Sequence, residues 1–416
     1  MSFLRSLFSG VSGLRNQQAM MDVIGNNIAN INTVGFKSSR ATFSELYAQT
    51  LRGGTQPSTT NGGTNPIQVG LGMTINSIDT LFTQGSFETT SNPEDLALNG
   101  SGFFIVKQNG RDLYTRDGTF QVDGNARLTT KSGAIVQGKM ADAQGNIPSG
   151  TSLQDILIQK DTKSPAKSTT AAKFAGNLNS SAANGSTVDS SVTVYDTLGN
   201  ATNVVLTYTK TGNDAWSWTA AAPAPATTSA SGTVTFNTDG TLNSVTGSPL
   251  VITPGTGAPD ISFSLDLGTP TATAPGTFAG LTQTSGTSSV RLMNQDGYTS
   301  GSLTDVNIEK DGTIRATFQN GQKLALGQIM IAEFNNPSGL LKSGDNCWDV
   351  SANSGSPSVV DGSGNTTIVS SALEQSNVDL ADEFTKMITA QRGFQANARV
   401  ITTSDEILQE VVGLKR

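Results

Sequence analysis

Two narrow apolar seams, one at each extremity of the chain, limit its possible folds more than any other feature of the sequence. Near the start, Leu7, Leu14, Met21 and Ile28 recur every seven residues. Leu4 and Val11 open the companion position, which Gln18 and Gly25 continue. The spacing predicts an a/d seam on a helix about 39 Å long. Near the end, Leu380, Phe384, Met387, Gln391, Phe394, Ala398, Ile401, Asp405, Leu408 and Val412 alternate steps of four and three. Ser371 and Glu374 have the spacing of a capping box, and Asn377, Asp379, Asp382 and Glu383 put polar and acidic groups where a helix begins. Lys415 and Arg416 suit its other end. The first helix contains Gly10, Gly13 and Gly25, each costing about 1 kcal/mol against Ala, so it needs a partner to stay helical. A plain antiparallel helix pair on a globular core is one reading. The narrow stripe favours a coiled coil, within one subunit or between copies.

Between the ends the pattern is β. Val306 and Ile308, Asp311-Gly312, Ile314 to Phe318, Asn320-Gly321 and Leu324 to Ile331 read as a meander. Phe120 and Val122 with Asp123-Gly124 and Leu128 read as a hairpin. Val192 to Tyr208, Trp216, Trp218, Val234, Phe236 and Ile261 to Leu267 supply further alternating strands. Short strands at this spacing predict sandwich or barrel domains. Residues 160–173, 220–231 and 268–289 are rich in small and turn-forming residues and read as linkers. The expectation is a mainly β protein with α-helical ends, in nested form. Residues 1–30 and 372–416 form a helical inner domain and 31–70 an extended linker or hinge. Residues 71–146 and 290–371 form a first β domain, and 147–289 an inserted outer β domain.

Composition excludes several functions. The net charge is −7, so the basic footprint of a nucleic-acid binder is missing. The chain has no His, which removes the commonest general base and zinc ligand. One Cys, Cys347, excludes an intrachain disulfide. Its carboxylates lie mostly beside Gly in turns, and no phosphate or dinucleotide fingerprint appears. No enzyme activity, cofactor or metal is expected. No run of 18 apolar residues predicts a membrane span. The first residues lack the pattern of a cleavable signal peptide. Charged residues are only 14% of the chain, and the Ser, Thr, Gly and Asn richness is that of an extracellular protein, so a dedicated export route is expected.

The motifs carry a resemblance. Asn26-Asn27-Ile28-Ala29-Asn30-Ile31-Asn32-Thr33-Val34-Gly35-Phe36-Lys37 resembles the N-terminal signature of bacterial flagellar rod and hook proteins. Ser376-Asn377-Val378-Asp379-Leu380 and the stretch from Met387 to Asn397 resemble their closing motif. Asp95 to Phe104 and Tyr114 to Phe120 are similar to the family's first β domain, and Tyr195 to Asn200 to a motif of the hook-type outer domain. Length and the inserted domain fit a hook-type member better than the shorter rod type. The resemblance implies a self-assembling subunit of a flexible curved tube, exported through the type III apparatus and located outside the cell. The implied partners are other copies of itself, the hook cap, the distal rod protein and the hook-filament junction protein. The family motif centres on Asn30, Asn32, Thr33, Gly35, Phe36 and Lys37. The expected subunit interface is Leu4, Leu7, Val11, Leu14, Met21, Ile28, Leu380, Phe384, Met387, Phe394, Ile401, Leu408 and Val412. A distal rod-type protein and a secreted adhesin-like β protein are the competing readings.

Overall fold

The computed structural model describes residues 2–413 apart from 58, 60, 151, 229, 256 and 271–279. It is mainly β, with one long helix at each end: α1 (Ser2–Ala29) and α2 (Leu380–Gly413). Chain contacts divide it into two compact units. Unit 1 comprises residues 1–159, 306–315 and 325–416; unit 2 comprises 160–305 and 316–324. The backbone therefore passes between the units four times.

Unit 2 has a sandwich core. One sheet is an antiparallel meander of Thr187–Tyr195, Ala201–Lys210, Ala215–Ala221, Ser231–Phe236 and Leu242–Val245. In the second sheet, Ala171–Asn179 pairs in parallel with both Ile261–Asp266 and Leu281–Thr284. Alternating residues on each strand face inward, so Val192, Val194, Val204, Leu206 and Tyr208 meet Phe174, Phe263 and Leu281 in one core. The indole N–H of Trp216 donates to the Gln283 side-chain oxygen at 3.1 Å, joining the sheets at a buried polar point. Two stretches expected as linkers contribute strands here. Ala171–Asn179 begins inside the first expected linker, and Leu281–Thr284 lies within the third, where Leu281 stands among small and polar residues. Part of the third expected linker, residues 271–279, lies outside the described residues.

In unit 1, Arg111–Thr115 lies between Phe103–Gln108 and Cys347–Asp349. Phe103–Gln108 also pairs with Ile135–Met140 and Ile331–Glu333. The core is Leu96, Leu98, Phe104, Val106, Ile314, Ile329, Ile331 and Ile368. The last strands before α2 complete this unit. Thr367–Ser370 pairs with Leu96–Asn99, and Ala372–Glu374 with Phe87–Thr89.

Residues 39–80, in part expected as linker, form an extended two-stranded ribbon. Ser39–Glu45 pairs antiparallel with Met73–Thr80, with a bulge between Thr42 and Phe43. Ala48–Arg52 continues the ribbon against Ile67–Gly70. It runs back along α1: Asn16 donates to the Met73 carbonyl at 2.7 Å, and Arg5 to Gln49 at 3.0 Å.

Asp296 ties residues 167–171 to the end of Arg291–Gln295 in unit 2. Partial burial alone would raise its pKa. Hydrogen bonds from the Thr170 hydroxyl and the Thr170 and Ala171 amides, with Lys167 at 3.2 Å, outweigh burial and hold it well below the ordinary value of 3.8. A carboxylate whose folded pKa is depressed adds stability above the unfolded value and loses it as pH falls toward the folded one. Unit 2 is expected to lose stability below pH 3.8. In an Asp296→Asn variant that acid-dependent component is absent, as pH-dependent thermal melts read by Trp fluorescence will show.

Candidate functional site

The two chain ends form the candidate site, starting from how α1 and α2 approach one another. A Cβ on Gly10 would lie 3.1 Å from the Ile401 side chain, and one on Gly13 would lie 2.6 Å from the Asn397 amide. A Cβ on Gly393 would lie 2.9 Å from the Gln17 side chain. Asn27 donates to the Glu383 carboxylate at 3.2 Å. Partner numbers fall on α2 as they rise on α1, so the helices are antiparallel. Gly10 and Gly13, which weaken α1 in isolation, let the two backbones come close. Gly25 has open space around it.

Small and polar residues carry most of this intramolecular seam. On α1 it follows Gly10, Gly13, Gln17 and Asn27, with Ile24 buried nearby; on α2 it follows Glu383, Ala390, Asn397, Ile401 and Ser404. Met387, Phe394, Ile401 and Leu408 are half-buried at or beside it. Leu7, Leu14, Met21 and Ile28 are also only half-buried. Val11, Leu380, Phe384 and Val412 are exposed, Phe384 at 49% and Val412 at 70%. Phe8 and Ile388, outside the heptad selection, are 69% and 57% exposed. The Leu4 side chain, Lys415 and Arg416 lie outside the described residues. Among the described residues, every exposed large apolar side chain except Leu198, Val251, Met293 and Leu341 falls within 8–87 or 380–412. A concentration of this kind marks an interaction surface, whereas isolated exposed apolar groups do not. Part of it is a groove of about 450 Å³ lined by Arg5, Phe8, Val11 and Arg15 of α1 and by Leu46 and Leu71 of the ribbon.

A buried charge cluster fixes the base of the helix pair. Glu374 is fully buried and accepts from Lys37 Nζ at 2.5 Å, the Gly85 amide at 2.8 Å and Arg116 Nη1 at 3.4 Å. Lys37 also donates to the Thr83 carbonyl, and Arg116 to that of Gly100, while the Arg116 guanidinium lies over the Phe103 ring. Burial pulls the Lys37 pKa below its ordinary value, against the opposing pull of Glu374. The proposed capping box is thereby corrected. Glu374 uses its carboxylate on these donors, and Ser371 has a φ of 53° between two strands. Helix α2 starts instead at Asp379, which accepts from the Ala381 amide at 2.8 Å.

The family-motif residues divide between turn and anchor. Asn30 and Thr33 close the turn after α1: Asn30 donates to the Asn26 carbonyl, and the Thr33 hydroxyl donates to Asn30. Asn32 is exposed. Gly35 has a φ of 68°, its amide donates to the Glu374 carbonyl, and a Cβ there would be 2.7 Å from the Arg116 backbone. Phe36 and Lys37 are buried. Two asparagines outside that selection complete the anchor. Asn27 grips both the amide and the carbonyl of Ser39. Asn377 accepts from the Ser38 amide and donates to the Leu81 carbonyl. Glu374 was missed as a partner, although Lys37 and Arg116, the cations of two motifs, both called for a carboxylate. Cys347 is buried, which pushes its thiol pKa up to about 11 and leaves it unreactive. Among the described residues no cluster suits a metal ion, and no helix is long and apolar enough to cross a membrane.

This arrangement and its counterparts define a flagellar axial protein of the rod-and-hook type. The family described as "Flagella basal body rod protein" matches residues 7–37, and "Flagellar basal body rod FlgEFG protein C-terminal" matches 369–414. "Flagellar hook protein FlgE/F/G D1 domain" matches 97–164, and "Flagellar basal body protein FlaE D2 domain" matches 158–298. The flagellar hook protein FlgE of Borreliella burgdorferi is 39% identical, over 99% of this chain and 100% of its own. That of Salmonella typhimurium is 36% identical over the same shares. The basal-body rod protein FlgG of Bacillus subtilis is 31% identical, over 99% of this chain and 100% of its own. The crystal structure of Helicobacter pylori flagellar hook protein FlgE2 shares the fold with a TM-score of 0.55 at 15% identity, covering 69% of this chain and 100% of that one. The chain belongs to the flagellar hook protein family.

Glu374→Gln keeps the shape of the side chain but leaves two buried cations without an anion, and is expected to cost about 3–5 kcal/mol. Gly35→Ala is expected to cost at least about 1–2 kcal/mol, from the positive φ and the contact with the Arg116 backbone. Urea denaturation checks both, and a Glu374→Gln variant within 1 kcal/mol of the parent would contradict the anchoring role.

Proposed function

We propose that this chain is the structural subunit of the flagellar hook, polymerising into the flexible tube that couples rod to filament and passes torque. The supporting observation is the apolar surface left over after α1 and α2 have paired. Phe8 and Val11 on one helix, and Leu380, Phe384 and Ile388 on the other, stay exposed in the single chain. Burying about 300 Å² of such surface per contact is worth about 7 kcal/mol, a driving force for contact between copies. A repeated contact between two different patches propagates as an open helical filament. The groove beside Phe8 and Val11, with Arg5 and Arg15 on its wall, gives one such patch an opening for a helix of a neighbouring copy.

Further partners on this reading are the hook cap, the distal rod protein, the hook-filament junction protein and the type III export apparatus, and the working location is outside the cell. Hook relatives reach 39% identity against 31% for the rod relative, and the match over 158–298 covers most of unit 2. Both favour hook over rod. An adhesin-like protein would not need apolar stripes on both terminal helices.

The two faces of α2 separate assembly from folding. Phe384→Glu with Ile388→Glu is expected to leave the melting of the isolated subunit within about 1 kcal/mol of the parent while abolishing tubes in electron micrographs and motility in a hook-deficient strain. Ile401→Asp is expected instead to loosen the α1–α2 pair and raise proteolysis of both ends. Tubes of normal yield from the Phe384/Ile388 variant would refute the assignment of that face to neighbouring copies.

A further inference from the structure

The buried cluster has a consequence for the order of folding. Lys37 and Arg116 both belong to the first third of the chain, and their only salt-bridge partner among the described residues is Glu374, 337 positions beyond Lys37. One carboxylate serves both cations, Lys37 on Oε1 and Arg116 on Oε2. If residues 30–140 collapsed alone, they would bring two desolvated positive charges together with no anion. The same late segment also supplies backbone. Its strands cover Leu96–Asn99 and Phe87–Thr89, and its Glu374 carbonyl accepts from Gly35. The hairpin Phe103–Gln108 with Arg111–Thr115 is local in sequence and apolar, so on contact order alone it would close first.

We propose that the Lys37–Glu374–Arg116 cluster is a folding latch: unit 1 stays open until residue 374 is available, and its early hairpin is then secured together with the final strands. A chain delivered from one end keeps its leading β segments uncollapsed until nearly all of it has arrived. The arriving carboxylate then closes the unit and fixes both terminal helices in register. The latch is a property of this chain's own charges and strand order, so its test does not depend on hook assembly.

Pulse-labelling hydrogen exchange read by mass spectrometry, during refolding of the full-length chain, tests the latch. Amides of 103–115 are expected to gain protection in the same kinetic phase as those of 367–374. In a Lys37→Met/Arg116→Met/Glu374→Leu variant, which has no charges to reconcile, the hairpin is expected to lead by a resolvable earlier phase. In Glu374→Gln its native-state protection is expected to fall about a hundredfold. Protection of 103–115 ahead of 367–374 in the parent chain overturns the latch, whether or not the triple variant folds. So does a triple variant that folds with the parental order, or hairpin protection unchanged in Glu374→Gln.

Discussion

The carboxylate of Glu374, held between Lys37 and Arg116, is the interaction on which the rest of unit 1 depends. It links the turn after α1, the first β motif and the strand before α2 at one dry point. Desolvating three charges is costly, and the cluster is tolerable because Thr83, Gly85 and Gly100 supply further hydrogen bonds. An apolar trio of the same volume would pack at least as favourably, but without demanding a unique set of partners. The cluster therefore supplies specificity: it sets where α1 leaves the β domain and where α2 begins. Asn27 and Asn377 extend the same anchor to the backbone on either side.

Above that anchor, the helix pair is built from small and polar side chains. Gly10, Gly13 and Gly393 bring the backbones close, and Gln17, Asn397 and Ser404 fill the narrow gap. Such a seam positions the helices while consuming little of their apolar surface. The larger apolar residues stay at its flanks or on the opposite side, where a second molecule can reach them. A helix pair optimised for its own stability would have buried Phe384 and Phe8; this one leaves both exposed.

Much of this was legible in the sequence, and the misses have physical causes. The helices at both ends announce themselves by periodicity, and the Asp-Gly and Asn-Gly turns locate the hairpins. Heptad counting selects apolar positions, so it found the stripes but not the glycines and polar residues of the intramolecular seam, which carry no hydropathy signal. Glu374 satisfied a local capping pattern, and nothing local shows that its partners lie hundreds of residues away. The start of Ala171–Asn179 and the whole of Leu281–Thr284 fell in expected linkers because their residues are interleaved with Ala, Gly and Thr, and their parallel pairing has no hairpin turn to reveal it. Much of the extended segment expected after α1 is paired as a ribbon, because Thr, Gln and Ser can alternate on a two-stranded sheet as well as they can populate a loop.

The four backbone passages between unit 1 and unit 2 have a mechanical corollary. In a bead-and-string protein each junction is a single peptide strand that bears the entire tension. Here four covalent connections join the units, so a single break at any one of them leaves three in place.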